Sequence, residues 1–199
     1  MARILFACLR SGTFPPDTAD RLLAVCNALV PDNVTRRSGH RVRVNHNLAR
    51  AVSMSTDAVQ ESDTGLLLGI PFGDKGRDWD RPGGAVPDGN FALFRHGENE
   101  LEVLTDGAGS RTIWYYHGDD LFLAATSQRA IIRFLGSFSF DRRVIPWVLS
   151  TGSPGPEFSW DRRLRRLPPD ASVLLDRRSW KMSLEANPIV FCAQQRSRK

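Results

Sequence analysis

The residues with which this 199-residue chain could do nucleophilic or metal chemistry are three cysteines and four histidines. Cys8, Cys26 and Cys192 form an odd, widely spaced set with no Cys-x-x-Cys pair. Such a set suits a reducing compartment and argues against a disulfide framework or a structural zinc site. His40, His46, His96 and His117 are scattered, with none paired at i and i+4, so no metal and no cofactor are expected. The other chemical resource is arginine. Arg36, Arg37, Arg41 and Arg43 form one cluster, and Arg162, Arg163, Arg165 and Arg166 a second. Arg177, Arg178 and a basic end, Arg196-Ser197-Arg198-Lys199, bring the net charge to +5 and the pI to about 9.6. Such a surface attracts acidic partners or nucleic acid. Asp161, Asp170 and Asp176 break up the second cluster and no nucleic-acid motif accompanies it, so a solvated face is the better reading.

Elements must position these groups. Arg3 to Leu9 is an apolar run rich in strand formers, closed by Ser11-Gly12. A helix follows from Asp17 or Thr18, with Leu22, Leu23, Val25, Cys26 and Leu29 at helical spacing, which makes Cys26 a core residue. Val34 to Met54 alternates as two strands, with the polar cluster Asn45-His46-Asn47 between them. Gly65 to Ile70 suits a strand buried on both faces, whereas residues 71–88, rich in Gly, Asp and Pro, form a long loop expected to be poorly ordered. An antiparallel meander comes next: Phe91–Arg95, Leu101–Thr105, Thr112–Tyr116 and Leu121–Ala125. Ser127 and Asp141 cap two helices, the second burying Val144, Ile145, Val148 and Leu149, with Pro146 in its first turn. Ser172–Leu175 and Trp180–Leu184 are the last strands, and no internal repeat is apparent. Strands in runs with helices grouped between them indicate an α+β fold.

Five segments of the second half carry a more specific signal. They are Asp88-Gly89-Asn90-Phe91-Ala92-Leu93, Asp106 to Tyr116 (DGAGSRTIWYY), Leu123 to Ile131 (LAATSQRAI), Leu149 to Pro156 (LSTGSPGP) and Arg165-Arg166-Leu167-Pro168-Pro169. In this order they resemble motifs of the class II glutamine amidotransferase domain of the asparagine synthetase family. The positions that carry the match are Asp88, Gly89, Phe91, Asp106, Gly109, Arg111, Tyr115, Gly152, Pro154, Arg166 and Pro168. The resemblance implies an N-terminal nucleophile hydrolase fold, a four-layer αββα sandwich of two antiparallel sheets. Gly107 and Gly109 flank a tight turn where a positive φ is expected, and Trp114, Tyr115 and Tyr116 alternate across a strand; none of these is an obvious acid, base or nucleophile, so structural roles are expected for them.

The resemblance also implies a cysteine nucleophile at position 2, exposed as the N-terminus and using its own α-amino group as base. Ala2 stands there when Ile4 to Leu9 is laid on the family's first strand, and a methyl group cannot attack an amide. The family's Asn-Gly-Glu strand, which supplies its oxyanion hole, corresponds to Gly65 to Gly73, which has no Asn-Gly, and the pocket helix before Asp88 is missing. Removal of Met1 to Ala7 would make Cys8 the N-terminus and an alternative nucleophile, but would leave only Cys8-Leu9 of the first strand. The Leu5-Phe6-Ala7-Cys8 match to a lipoprotein cleavage box lacks the longer apolar segment that such a signal needs.

The reading is therefore a degenerate amidotransferase-like domain over residues 1–185 and a basic tail over 186–199, cytoplasmic and not membrane-bound. It lacks the Ser-Gly-Gly-x-Asp-Ser pyrophosphate loop of an adenylating synthetase. The expected role is a non-catalytic partner, or split module, of a separate ATP-dependent synthetase chain, met through Trp160, Arg162, Arg163 and Arg165. The alternatives are an active glutaminase matured to Cys8 and a basic nucleic-acid-binding module.

Overall fold

The computed structural model describes residues 2–31, 33, 39–155 and 158–187. Arg36, Arg37, Cys192 and the basic end from Arg196 to Lys199 lie outside the described residues, as do Val34 and Pro156.

Two antiparallel sheets of six strands face each other. The first contains β1 (Arg3–Leu9), β2 (Arg41–Asn45), β3 (Leu48–Ser53), β8 (Trp114–His117), β9 (Leu121–Ala125) and β10 (Arg165–Arg166), in the order β10-β8-β9-β1-β3-β2. The second contains β4 (Val59–Glu61), β5 (Gly65–Pro71), β6 (Gly89–His96), β7 (Glu100–Thr105), β11 (Ala171–Asp176) and β12 (Lys181–Ala186), ordered β12-β11-β7-β6-β5-β4. The three helices among the described residues are α1 (Thr18–Ala28), α2 (Gln128–Leu135) and α3 (Val144–Thr151). The α+β class and the antiparallel two-sheet arrangement agree with the sequence reading.

The period-2 alternation of each strand divides its side chains between two cores. Ile4, Phe6 and Cys8 of β1 point between the sheets, where they meet Leu66, Leu68, Phe94, Val103 and Val173 of the second sheet. Leu5 and Ala7 point outward, beneath Leu22, Val25 and Cys26 of α1 and Ala130, Ile131 and Phe134 of α2. Because both faces of β1 are buried, the strand reads as the continuous apolar run seen in its sequence.

The outer face of the second sheet is covered differently. Leu67, Phe91, Leu93 and Leu104 form a small cluster there, closed by Trp79 from the 72–88 segment, and no helix among the described residues packs on it. The expected fourth, helical layer is therefore replaced by a loop. Nor is that loop loosely held. The Arg95 side chain, 1% exposed, donates to the carbonyls of Trp79 at 3.0 Å, Ala85 at 3.1 Å and Gly84 at 3.1 Å, and to Glu102 Oε2 at 2.7 Å. Glu102 Oε2 in turn accepts the Gly83 amide at 2.8 Å. The Thr64 hydroxyl donates to Asp80, and the loop backbone lies so close that a Cβ on Gly65 would come within 2.6 Å of the Asp80 Cβ. Polar composition argued for disorder here; a buried guanidinium serving three carbonyls supplies the order instead.

A second correction concerns α3. Only Val144 of its apolar stripe is buried; Ile145 is 44% exposed and Leu149 83% exposed. Asp141 is not the cap residue itself. Its carboxylate accepts the Arg143 amide at 3.0 Å, forming the turn that leads into the helix, while its carbonyl accepts the Val144 amide.

Candidate functional site

The matched motif positions lie on turns and edges rather than around one reaction centre. The Asp106 carboxylate accepts the amides of Phe91 at 3.0 Å, Ala108 at 2.9 Å and Ser110 at 3.3 Å, together with the Ser110 hydroxyl. Its carbonyl accepts the Gly109 and Asp170 amides, tying the β7–β8 connection to the turn before β11. Gly109, at φ +60°, lies against Pro169, where an added Cβ would stand 2.9 Å from a ring carbon; Gly107 is not in the left-handed region. Thr105 donates to the Pro168 carbonyl at 2.6 Å. Gly89 passes Ile70 so closely that a Cβ would lie 2.5 Å from its carbonyl oxygen, while Asp88 is exposed and Phe91 buried. Gly152 ends α3 at φ +74°, Pro154 follows it half-buried, and the buried Nε of Arg111 has no partner among the described residues. These placements serve turns, caps and close backbone approaches.

Burial alone would raise the Asp106 carboxyl, but the Ser110 hydroxyl and the Ser110, Phe91 and Ala108 amides outweigh it and hold the group below the ordinary carboxylate range. A group whose folded pKa is depressed contributes stability that is present above its unfolded value and lost as pH falls through the folded one. Asp106→Ala is accordingly expected to cost about 3 kcal/mol at neutral pH and to flatten the acid side of the stability curve. Urea unfolding at neutral and acid pH checks this; an acid slope equal to the parent's would sink it.

Where the resemblance would place a nucleophile, Ala2 is 4% exposed and packed in the inter-sheet core. Cys8 lies on the same face of β1, opposite Leu48 on β3 and Phe122 on β9, and is fully buried. Its S–H donates to the Leu9 carbonyl at 3.5 Å, and no histidine among the described residues hydrogen-bonds it. Burial pushes the Cys8 thiol up to about 11, the Arg177 guanidinium offsetting only part of that rise. A thiol in this state is not a nucleophile at neutral pH. Burial raises Cys26 to about 11 as well. Asn45-His46-Asn47 is the β2–β3 hairpin, whose Asn47 holds Arg177 at 2.7 Å. Among the described residues no three His, Cys, Asp or Glu side chains converge as metal ligands, and no helix is long and apolar enough to cross a membrane.

A cleft of about 700 Å³ opens at one side of the sandwich. Its walls come from the two edge strands on that side, β10 with Arg165 and Arg166 and β12 with Leu184. Tyr115, which pairs with Arg165, and Pro168 and Pro169 line it further, while Asp141, Arg143, Phe158 and Arg162 form the remaining wall. The Arg143 charge is answered by Asp141, with Nη2 to Oδ2 at 2.7 Å, and its guanidinium lies 4.8 Å over the Phe158 ring. Arg162, Arg165 and Arg166 have no ion pair among the described residues. Three residues of the expected partner face therefore do come together: Trp160 is exposed beside the cleft that Arg162 and Arg165 line. Arg163 does not join them. It folds back on the buried Asp161, with Nη2 to Oδ2 at 2.6 Å, and onto Ser137.

The reason is a repeat that the sequence reading missed. Phe138-Ser139-Phe140-Asp141-Arg142-Arg143 recurs as Phe158-Ser159-Trp160-Asp161-Arg162-Arg163. In each copy the second arginine closes on its own aspartate and the first is left exposed. The copies run antiparallel: the Asp141 amide donates to the Trp160 carbonyl at 3.1 Å, the Arg162 amide to the Ser139 carbonyl at 2.9 Å, and the Ser139 amide to Asp161 Oδ2 at 3.0 Å. This pairing presents Phe138, Phe140 and Trp160 as an exposed aromatic ladder, with centroids 6.1 and 6.4 Å apart. The exact recurrence of Asp-Arg-Arg was the signal available in the sequence.

Neither a protein-family model nor any curated protein matches the chain.

Proposed function

We propose that this chain is an asparagine synthetase-type, class II glutamine amidotransferase-like module without glutaminase activity. Its two-sheet sandwich is then of the N-terminal nucleophile hydrolase kind, and its role is to dock on an ATP-dependent amide-forming synthetase chain. What chiefly supports this is the juxtaposition of five family-like motifs, in order, with a buried alanine methyl where the reaction needs a thiol. Covalent catalysis needs an accessible nucleophile within reach of a base. Ala2 offers no nucleophile, and Cys8 is a protonated core thiol. The exposed aromatic ladder and the uncommitted arginines next to it have the composition that anchors protein interfaces.

The expected result is no release of ammonia from glutamine by the purified chain, and none by Ala2→Cys with Met1 removed, because the strand in register with the family's oxyanion-hole strand has no Asn-Gly. Affinity capture from the native host is expected to retain a chain that carries a Ser-Gly-Gly-x-Asp-Ser loop and exchanges pyrophosphate into ATP. Glutamine hydrolysis by the unaltered protein overturns the reading. Strong, salt-dependent retention on DNA or RNA in place of that partner would support the nucleic-acid alternative.

A further inference from the structure

The cleft beside β10 and β12 has a more specific character than a general docking surface. We propose that it takes an extended acidic peptide segment, with apolar side chains alternating between its carboxylates, supplied by the partner chain. The proposal rests on the docking reading above for the source of that segment, but the site itself is argued from its walls.

Three features set the chemistry. The cleft lies along two edge strands, one from each sheet, and neither has a further strand beside it among the described residues. Edge strands are where an extended chain adds. Arg162, Arg165 and Arg166 line it without carboxylate partners among the described residues, and Asp141, the one carboxylate among the described lining residues, is 5% exposed and already held by Arg143. A guanidinium fork matches a carboxylate in bidentate geometry. Phe158, Pro168, Pro169 and the exposed Leu184 add apolar surface to the same walls. Among the described residues the walls contain no glycine, and where the start of α3 reaches the cleft the Arg143 amide is already taken by the Asp141 carboxylate at 3.0 Å, which disfavours a phosphate chain there. The chain's own basic end, Arg196-Ser197-Arg198-Lys199, carries the wrong sign to fill the cleft, and so does the arginine cluster of a second copy.

The test is fluorescence anisotropy of a short labelled peptide that alternates glutamate and leucine, against its glutamine and lysine counterparts, ATP and an oligothymidylate. The glutamate peptide alone is expected to bind, less tightly as salt rises. Arg162→Glu/Arg165→Glu is expected to weaken it at least about tenfold with unfolding temperature unchanged, and to gain binding of the lysine peptide. Arg166→Glu is a second, independent reversal should the double variant not fold. Equal binding of the glutamine peptide, indifference to both reversals, or tighter reversal-sensitive binding of ATP or the oligonucleotide overturns the proposal. The two readings fail separately. Peptide binding without capture of a synthetase removes the partner and leaves the cleft, whereas synthetase capture that survives both reversals does the opposite.

Discussion

Arg95→Met is expected to lower stability by about 3–5 kcal/mol, the range for removing one partner of a buried ion pair. The substitution preserves the apolar stem, so the loss comes from the polar atoms left behind. Glu102 would keep a buried charge with the Gly83 amide as its remaining donor, and the carbonyls of Trp79, Gly84 and Ala85 would each lose their guanidinium hydrogen bond. For a domain of this size the unfolding temperature should fall by about 6–20 °C. A local effect should accompany the global one. Released from the sheet, the 72–88 segment frees the backbone around Lys75 and Arg77 to enter a protease site, and trypsin should cut there before the rest of the domain unfolds. Arg95→Met/Glu102→Leu should recover part of the loss, since the orphaned carboxylate is gone, but not the resistance to trypsin, since the carbonyls stay unserved. Urea unfolding with limited proteolysis reads both; a variant as stable and as resistant as the parent shows that Arg95 does not hold the loop.

A chain that begins at Cys8 is expected not to fold. Its first strand would lose Arg3 to Ala7, leaving Cys8 and Leu9 where β1 pairs with β3 on one side and β9 on the other. Ile4, Leu5 and Phe6 are each at most 2% exposed, and at about 1.5–3 kcal/mol apiece their burial is comparable with the whole stability of a typical domain. The ladder bonds on both flanks of β1 go with them, as does the Ile4–Thr126 connection into the start of α2. Circular dichroism and a thermal melt of the shortened protein check this, and the absence of a cooperative transition is the expected outcome. A folded, ammonia-releasing chain starting at Cys8 would revive the matured glutaminase and remove the proposed function with it.

Most strands were legible in the sequence because alternation and short apolar runs are local signals. β1, β3 and the strands β6 to β9 fall within a residue or two of the expected ranges, and Cys26 is a core residue as its helical spacing required. The expected single meander is instead two hairpins, β6–β7 in the second sheet and β8–β9 in the first, because alternation marks strands and not their partners. β4 was not foreseen, since Val59–Glu61 is three residues long and shows no alternation of its own. The buried stripe expected on α3 failed for a different reason. Amphipathic spacing says that a face is apolar but not that anything covers it, and on α3 only Val144 is buried.

The candidate site divides along the same line. Residue order alone places arginines and Trp160 near one another around Arg162 and shows that the segments compared with the amidotransferases are rich in turn residues. Which arginines are available depends on the folded chain. Arg163 and Arg143 close on aspartates two residues away, whereas Arg162, Arg165 and Arg166 line a cleft that exists because β10 and β12 end their sheets on the same side. The fold decides too that Arg95 is a buried clasp rather than a solvated charge. Composition counts charges, but what a charge does depends on the carbonyls and carboxylates that the fold brings to it, and those come from residues distant in the chain.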